Sequence, residues 1–207
     1  MKTKRFIKLI LIGLVILTAI STLTGCGSSG GKFVVELYPE YAPKTVENFI
    51  KLAEEGFFDG LTFHRIVDGF MAQGGWKDAD GNEKNAQSVE GEFALNGFEQ
   101  NTLSHKKGVI SMARADTTSY GDPIPGYNSA SSQFFIMLAD DARLDGAYAA
   151  FGKVTDGMAI IEKMQDVERT FNSMMEKAAP VKPVVIKKAT VLEKGDHPKI
   201  QFEMNKF

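Results

Sequence analysis

Thirteen residues, F-H-R-I-V-D-G-F-M-A-Q-G-G (63–75), hold the chain's most suggestive chemistry. One guanidinium that is charged at every accessible pH, Arg65, stands close in sequence to Phe70 and Met71, with the amide of Gln73 eight residues further on. No carboxylate nucleophile and no set of metal ligands accompanies them. A cation held beside an apolar pocket does not suit hydrolysis or group transfer. It suits a reaction that breaks no covalent bond and only has to twist one.

These side chains need a scaffold, and the pattern around them is mostly β. Residues 33–38 alternate with period two and are rich in Val, Phe and Tyr, which predicts a strand. Pro43 suits the first turn of a helix, in which Val46, Phe49, Ile50 and Ala53 share one face and Gly56 is the stop. Further strands are predicted at 61–67, 108–113, 133–138, 149–154 and 184–192, and a second helix from about Gly157 with Met158, Ile161 and Met164 on one face. Residues 76–98 read as a long surface loop holding one short strand. Many short strands and only two clear helices predict a mainly β domain, a closed β-barrel with helical lids.

Five motifs, in order, carry a family resemblance: Y-P-E-Y-A-P-K-T-V-E-N-F (38–49), the run at 63–75, G-V-I-S-M-A-R-A (108–115), N-S-A-S-S-Q-F-F-I (128–136) and L-D-G-A-Y-A-A-F-G-K-V (144–154). Together they resemble the cyclophilins, peptidyl-prolyl cis–trans isomerases, and the resemblance implies a closed eight-stranded antiparallel β-barrel capped by two helices. The resemblance implies Arg65 as the catalytic arginine and Phe70, Met71, Phe135 and Leu144 as the proline pocket, with Tyr148 at its edge. It implies Gln73 and Gln133 as holders of the substrate backbone, and Ala113, Arg114 and Ala115 as the segment along which the peptide lies. It implies proline-containing polypeptides as substrates and neither cofactor nor metal. Taken singly, Phe70, Met71 and Phe135 also fit a core, Arg65 a surface ion pair, and His64 a structural or rim position, since isomerisation moves no proton. His105 and His197 lie in unrelated contexts, which argues against a metal site.

The chemistry agrees with the residue types. Amide resonance sets a rotation barrier of about 18–20 kcal/mol, and X-Pro bonds exchange over tens to hundreds of seconds. Reaching milliseconds takes about 6 kcal/mol. Twisting makes the prolyl nitrogen pyramidal, so a donor aimed at it binds the transition state better than the ground state. One such donor in a dry site supplies about 2.7–4 kcal/mol. An apolar pocket, which favours the less polar twisted amide, can supply the rest. The rival from another class is a proline-peptide binding module or holdase with little catalysis. A hydrolase is weaker still, for the G-x-S-x-G spacing occurs only at 27–31, in the Gly/Ser tether, and not as an elbow between a predicted strand and helix.

Three departures from the family pattern stand out. Only six residues separate Cys26 from Phe33, so the family's first strand is expected to be missing, and the alternating tail residues Ile200, Phe202 and Met204 are the candidates to cover the exposed edge. Residues 116–127 form a connection longer than usual, stiffened by Pro123 and Pro125, that could rim the groove. Arg143 stands where many eukaryotic members carry a tryptophan that contacts cyclosporin, which implies weak binding of that inhibitor.

The N-terminus has another character. Lys2, Lys4, Arg5 and Lys8 precede an uncharged apolar stretch, 9–23, and then Leu23-Thr24-Gly25-Cys26. The stretch is short of the about 20 apolar residues a spanning helix needs. It has the layout of a secretory signal, and its end resembles the lipobox of bacterial lipoproteins, which implies lipidation at Cys26. Cys26 is the chain's single cysteine, so no intramolecular disulfide forms. The reading divides the chain into a signal peptide, 1–25, a lipidated Cys and tether, 26–32, the isomerase domain, 33–194, and a tail, 195–207. Removing the leader's four positive charges takes the formal net charge from −2 to −6, which argues against nucleic acid as partner. A monomer, lipid-anchored on the outer face of the cell membrane and acting on exported proteins, is the expectation.

Overall fold

Phe33, Val35 and Leu37 are fully buried and alternate with less buried neighbours, as a strand with one face on a core requires. They belong to β1 (Ser29–Leu37) of a computed structural model that describes residues 29–117 and 121–207. Cys26 and the leader lie outside the described residues.

Helix α1 (Pro43–Glu54) follows, with proline in its first turn and Val46, Phe49, Leu52 and Ala53 buried. Its N-cap residue, Ala42, has no side chain to offer. A carboxylate from far along the chain takes over: Glu92 accepts from Lys44 N (2.9 Å) and from Thr45 N (2.8 Å). Glu92 is almost fully buried, so two otherwise orphaned donors and one charge satisfy each other where the helix dipole is positive.

Seven further strands complete the main sheet: β2 (Leu61–Val67), β3 (Met71–Asp78), β4 (Val109–Met112), β5 (Phe134–Met137), β6 (Ala150–Asp156) and, beyond a separate hairpin of β7 (Arg169–Phe171) and β8 (Lys177–Pro180), β9 (Ile186–Glu193) and β10 (Lys199–Asn205). Their order is β2-β3-β5-β4-β6-β1-β10-β9, antiparallel throughout. Two short helices join α1, namely α2 (Ile124–Tyr127) in the long connection and α3 (Met158–Lys163) after β6. Among the described residues three helices thus replace the expected two. At the start of α3, Gly157 has a φ of 75°, and a Cβ there would come within 2.3 Å of the Lys32 carbonyl.

The expectation of a closed barrel is corrected: the sheet is a curled half-barrel, open between its end strands. Across the seam run the bridge of Thr62 with Val185, the backbone bonds Gly60 N→Ile186 O (2.8 Å) and Phe63 N→Val184 O (2.9 Å), and a bond from Ala189 N to Asp59 Oδ1 (2.9 Å), with no continuous ladder. The chain beside β2 there includes Pro180 and Pro183, which have no N–H with which to extend a ladder. The expectation about the tail agrees with the pairing. β10 runs antiparallel along β1, with Phe33 opposite Phe202 and Val35 opposite Ile200, and covers the edge that would otherwise lack a partner.

Aromatic rings fill the interior. Phe202 stacks on Phe33 at 4.9 Å between centroids and also touches Phe49, Phe58 and Phe134. Phe134 and Ile136 of β5 face this core, while Phe135 and Met137, one residue out of phase, belong to a second apolar cluster with Met71, Val109 and Ala150. That second cluster is the floor of the site.

Candidate active site

Arg65 reaches the site through a break in β2. Phe63 pairs with Gly74 but Arg65 pairs with Gln73, so His64 is the extra residue of a bulge. In a regular strand Phe63 and Arg65 would share a face. The bulge lets Phe63 bury completely in the core while Arg65 emerges beside Gln73 on the other side. Close packing behind it explains the glycine pair. Gly75 has a φ of 85°, and a Cβ on it would stand 2.5 Å from the Ser132 carbonyl.

A cavity of about 400 Å³ is lined by Arg65, Phe70, Met71, Gln73, Ala113, Arg114, Gln133, Phe135, Leu144 and Tyr148, every residue expected at the site except Ala115. Ala115 lines a smaller adjoining hollow of about 210 Å³, and its N–H is bonded to Ser129 Oγ (2.8 Å). Polar groups are chained along one side. Arg65 Nη1 donates to Gln73 Oε1 (3.3 Å) and lies 3.7 Å from Met71 Sδ, and Gln73 Nε2 donates to Gln133 Oε1 (3.0 Å). Opposite, Tyr148 meets Phe135 edge to face (5.7 Å), and the Arg114 guanidinium lies over Tyr148 (4.6 Å) and Tyr127 (5.0 Å). Arg114 is pinned by its Nε bond to the Ala147 carbonyl (3.0 Å).

His64, read as a structural or rim residue, and Asp116 of the long connection also line the cavity. Trp76 and Met174 line it too and escaped the sequence reading. His64 packs edge-on to Trp76 (5.4 Å); burial, then the Lys77 charge, push its pKa down to about 4. Glu176, from the turn of the β7–β8 hairpin, grips Arg65 through Nε (2.6 Å) and Nη2 (2.9 Å). The ion-pair reading of Arg65 and its position in the pocket are therefore both realised. No motif signals this hairpin, because its strands are three and four residues long.

Beneath the pocket, His105 Nδ1 lies 2.9 Å from Asp145 Oδ1 and its Nε2 lies 3.0 Å from Ser111 Oγ. The connectivity is that of a Ser-His-Asp relay, but Ser111 is wholly buried within β4, where no scissile carbonyl can reach it. Burial, only partly opposed by Asp145, lowers the pKa of His105. The neutral ring lies parallel to Phe135 at 6.0 Å and supports the pocket floor. Arg143 lies outside the cavity lining, highly exposed and paired with Asp141 (2.6 Å). Of the long connection, Asp116 lines the cavity, while Tyr127 packs on Phe93. Among the described residues no three His, Cys, Asp or Glu side chains are grouped as a metal would need, and no helix is long and apolar enough to cross a membrane.

Fold and cavity together define a class: a mainly β half-barrel bearing on its outer face an apolar pocket flanked by a fixed cation and two amides. A family model described as cyclophilin type peptidyl-prolyl cis-trans isomerase/CLD matches residues 22–191. Peptidyl-prolyl cis-trans isomerase ppi1 of Schizosaccharomyces pombe is 38% identical over 165 residues, covering 80% of this chain and 96% of the relative. Peptidyl-prolyl cis-trans isomerase B of Bacillus subtilis is 41% identical over 137 residues, covering 66% and 85%. The crystal structure of a cyclophilin from Hirschia baltica superposes with a TM-score of 0.60 at 25% identity, covering 81% of this chain and 73% of that one. The chain belongs to the cyclophilin-type peptidyl-prolyl cis–trans isomerases. Its reaction is rotation about the peptide bond that precedes proline.

Proposed function

We propose that Arg65 is the catalytic donor of this isomerase, stabilising the pyramidal prolyl nitrogen of the twisted amide. On this reading Phe70, Met71, Phe135, Leu144 and Tyr148 receive the prolyl ring, and Gln73, Gln133, Ala113, Arg114 and Ala115 align the substrate backbone. The observation that carries it is the Arg65 fork, held 3.3 Å from Gln73 at the edge of an apolar cavity. A charged donor fixed before substrate arrives needs no reorganisation during the twist.

A proline-peptide isomerisation assay on wild type and Arg65→Ala tests the assignment. Loss of one preorganised donor corresponds to a fall in kcat/KM of about 10²–10³-fold with peptide affinity largely kept. Turnover equal in the two proteins rejects Arg65 as the donor, and little turnover in either favours a binding module or holdase.

The substrates on this reading are exported polypeptides as they fold, and the enzyme is a monomer held by lipid on Cys26 at the outer face of a bacterial cell membrane. The charged head, the apolar stretch and Leu23-Thr24-Gly25-Cys26 support it. Fatty-acid labelling of the expressed full chain that persists in Cys26→Ser would sink the anchor assignment.

A further inference from the structure

We infer that Glu176 is a positioning residue for the isomerase reaction, holding the Arg65 guanidinium so that its remaining donors face the substrate; this rests on the reading of Arg65 as the catalytic donor. An arginine fork has five N–H donors, and a carboxylate placed against one edge fixes the plane of the whole group. Glu176 occupies the Nε–Nη2 edge, at 2.6 and 2.9 Å. Nη1 is turned the other way, toward Gln73 and Met71 on the pocket side. The carboxylate therefore orients the fork without covering the edge that faces the pocket.

Glu176 is itself held. Its N–H donates to Asn172 Oδ1 (3.0 Å), and Asn172 Nδ2 donates back to Glu176 Oε2 (3.1 Å). Asn172 N donates to the Glu176 carbonyl (2.9 Å), and Asn172 Oδ1 also accepts from Met174 N (3.0 Å). One asparagine thus organises the turn from which the carboxylate projects, with Met175 at a φ of 59° inside it. The base of the hairpin is fastened beneath the site. Arg169 pairs with Asp68 and donates to the carbonyls of Ile66 (3.3 Å) and Gln165 (3.0 Å), and Val181 N donates to the Glu168 carbonyl (2.8 Å). The Arg65 guanidinium holds the Glu176 carboxyl below the ordinary carboxylate range, so it is ionised at neutral pH. A long side chain left to itself must be ordered at each turnover; here the ordering is built into the fold.

The test is a double-mutant cycle on isomerase activity with a proline peptide, using Glu176→Ala and Glu176→Gln in the wild-type and Arg65→Lys backgrounds, with melting temperatures for all. Misplacing a catalytic group costs up to about 100-fold, so Glu176→Ala is expected to lower kcat about 10–100-fold with KM little changed. Glu176→Gln, which keeps one acceptor oxygen, should fall between. In the Arg65→Lys background, where there is no fork to orient, either change should cost less than threefold. Three results overturn the inference: wild-type kcat in Glu176→Ala, equal losses in both backgrounds, or a rise in kcat, which would make the carboxylate a brake. Arg65→Lys at wild-type activity would instead overturn the reading of Arg65 itself, so the two failures are distinguishable.

Discussion

His64 shows how one residue can serve geometry without serving chemistry. It is the inserted residue of the β2 bulge, its Nδ1 is buried without a hydrogen-bond partner, and its pKa lies near 4. The ring is therefore neutral wherever the enzyme is folded at mild pH, in keeping with a reaction that transfers no proton. The unfolded chain, with an ordinary His pKa of about 6.5, takes up that proton first as pH falls. Stability should consequently decline between about pH 6.5 and 4, and His105, also lowered by burial, adds to the slope in the same direction. We expect His64→Phe to flatten part of this decline; denaturation curves at pH 7 and 4.5 that move in parallel for both proteins would exclude it. At this scale the sequence was highly legible where a residue's type dictates its use. Arg65, Gln73, Gln133 and the pocket apolar groups were named from motifs and lie around one cavity. Glu176, Trp76 and Met174 were not, because a carboxylate 111 positions from its arginine leaves no local pattern.

Among the elements, α1 shows what local rules miss. Pro43 and the spacing of Val46, Phe49 and Ala53 announce the helix, but nothing near Ala42 announces its cap. The capping group, Glu92, sits in a segment that reads as a surface loop, and it is nearly inaccessible. Replacing it with alanine orphans the buried N–H of Thr45 and the partly buried N–H of Lys44. Hydrogen bonds to a charged acceptor are worth about 1.5–3 kcal/mol each, and the losses do not add fully, so we predict about 2–4 kcal/mol of destabilisation for Glu92→Ala in urea denaturation. Glu92→Gln should recover roughly half of it; a change under about 0.5 kcal/mol for the alanine variant would refute the capping role. The same limit applies to the hairpin and to α2. Short elements held by tertiary contacts carry too few residues to show a period, whereas β1 was legible from its alternation and β5 from a continuous buried apolar run.

For the molecule as a whole, the alternation of Ile200, Phe202 and Met204 was enough to place the tail on the β1 edge. The openness of the barrel was not legible, since it depends on which backbone groups across a seam lack donors. All three tail side chains are completely buried, and each such burial is worth about 1.5–3 kcal/mol against a total stability of about 5–15 kcal/mol. Deleting residues 197–207 should therefore lower the melting temperature sharply or abolish the cooperative transition. Phe202→Ala, the milder version, should cost about 3–5 kcal/mol. An unchanged melt in the truncated protein would show that the β1 edge is stable uncovered.

The β1–β10 ladder joins Ser29 to Asn205, so the first strand of the sheet in chain order pairs with the last. A chain made from its N-terminus exposes β1 before the other strands of the sheet, but β10, the partner for its second edge, is the last of those strands to emerge. Until those residues are free, Phe33 faces a core without the ring that stacks on it. The sheet therefore cannot be completed before residues 199–205 have left the ribosome. Release of β10 comes first and completion of the sheet second.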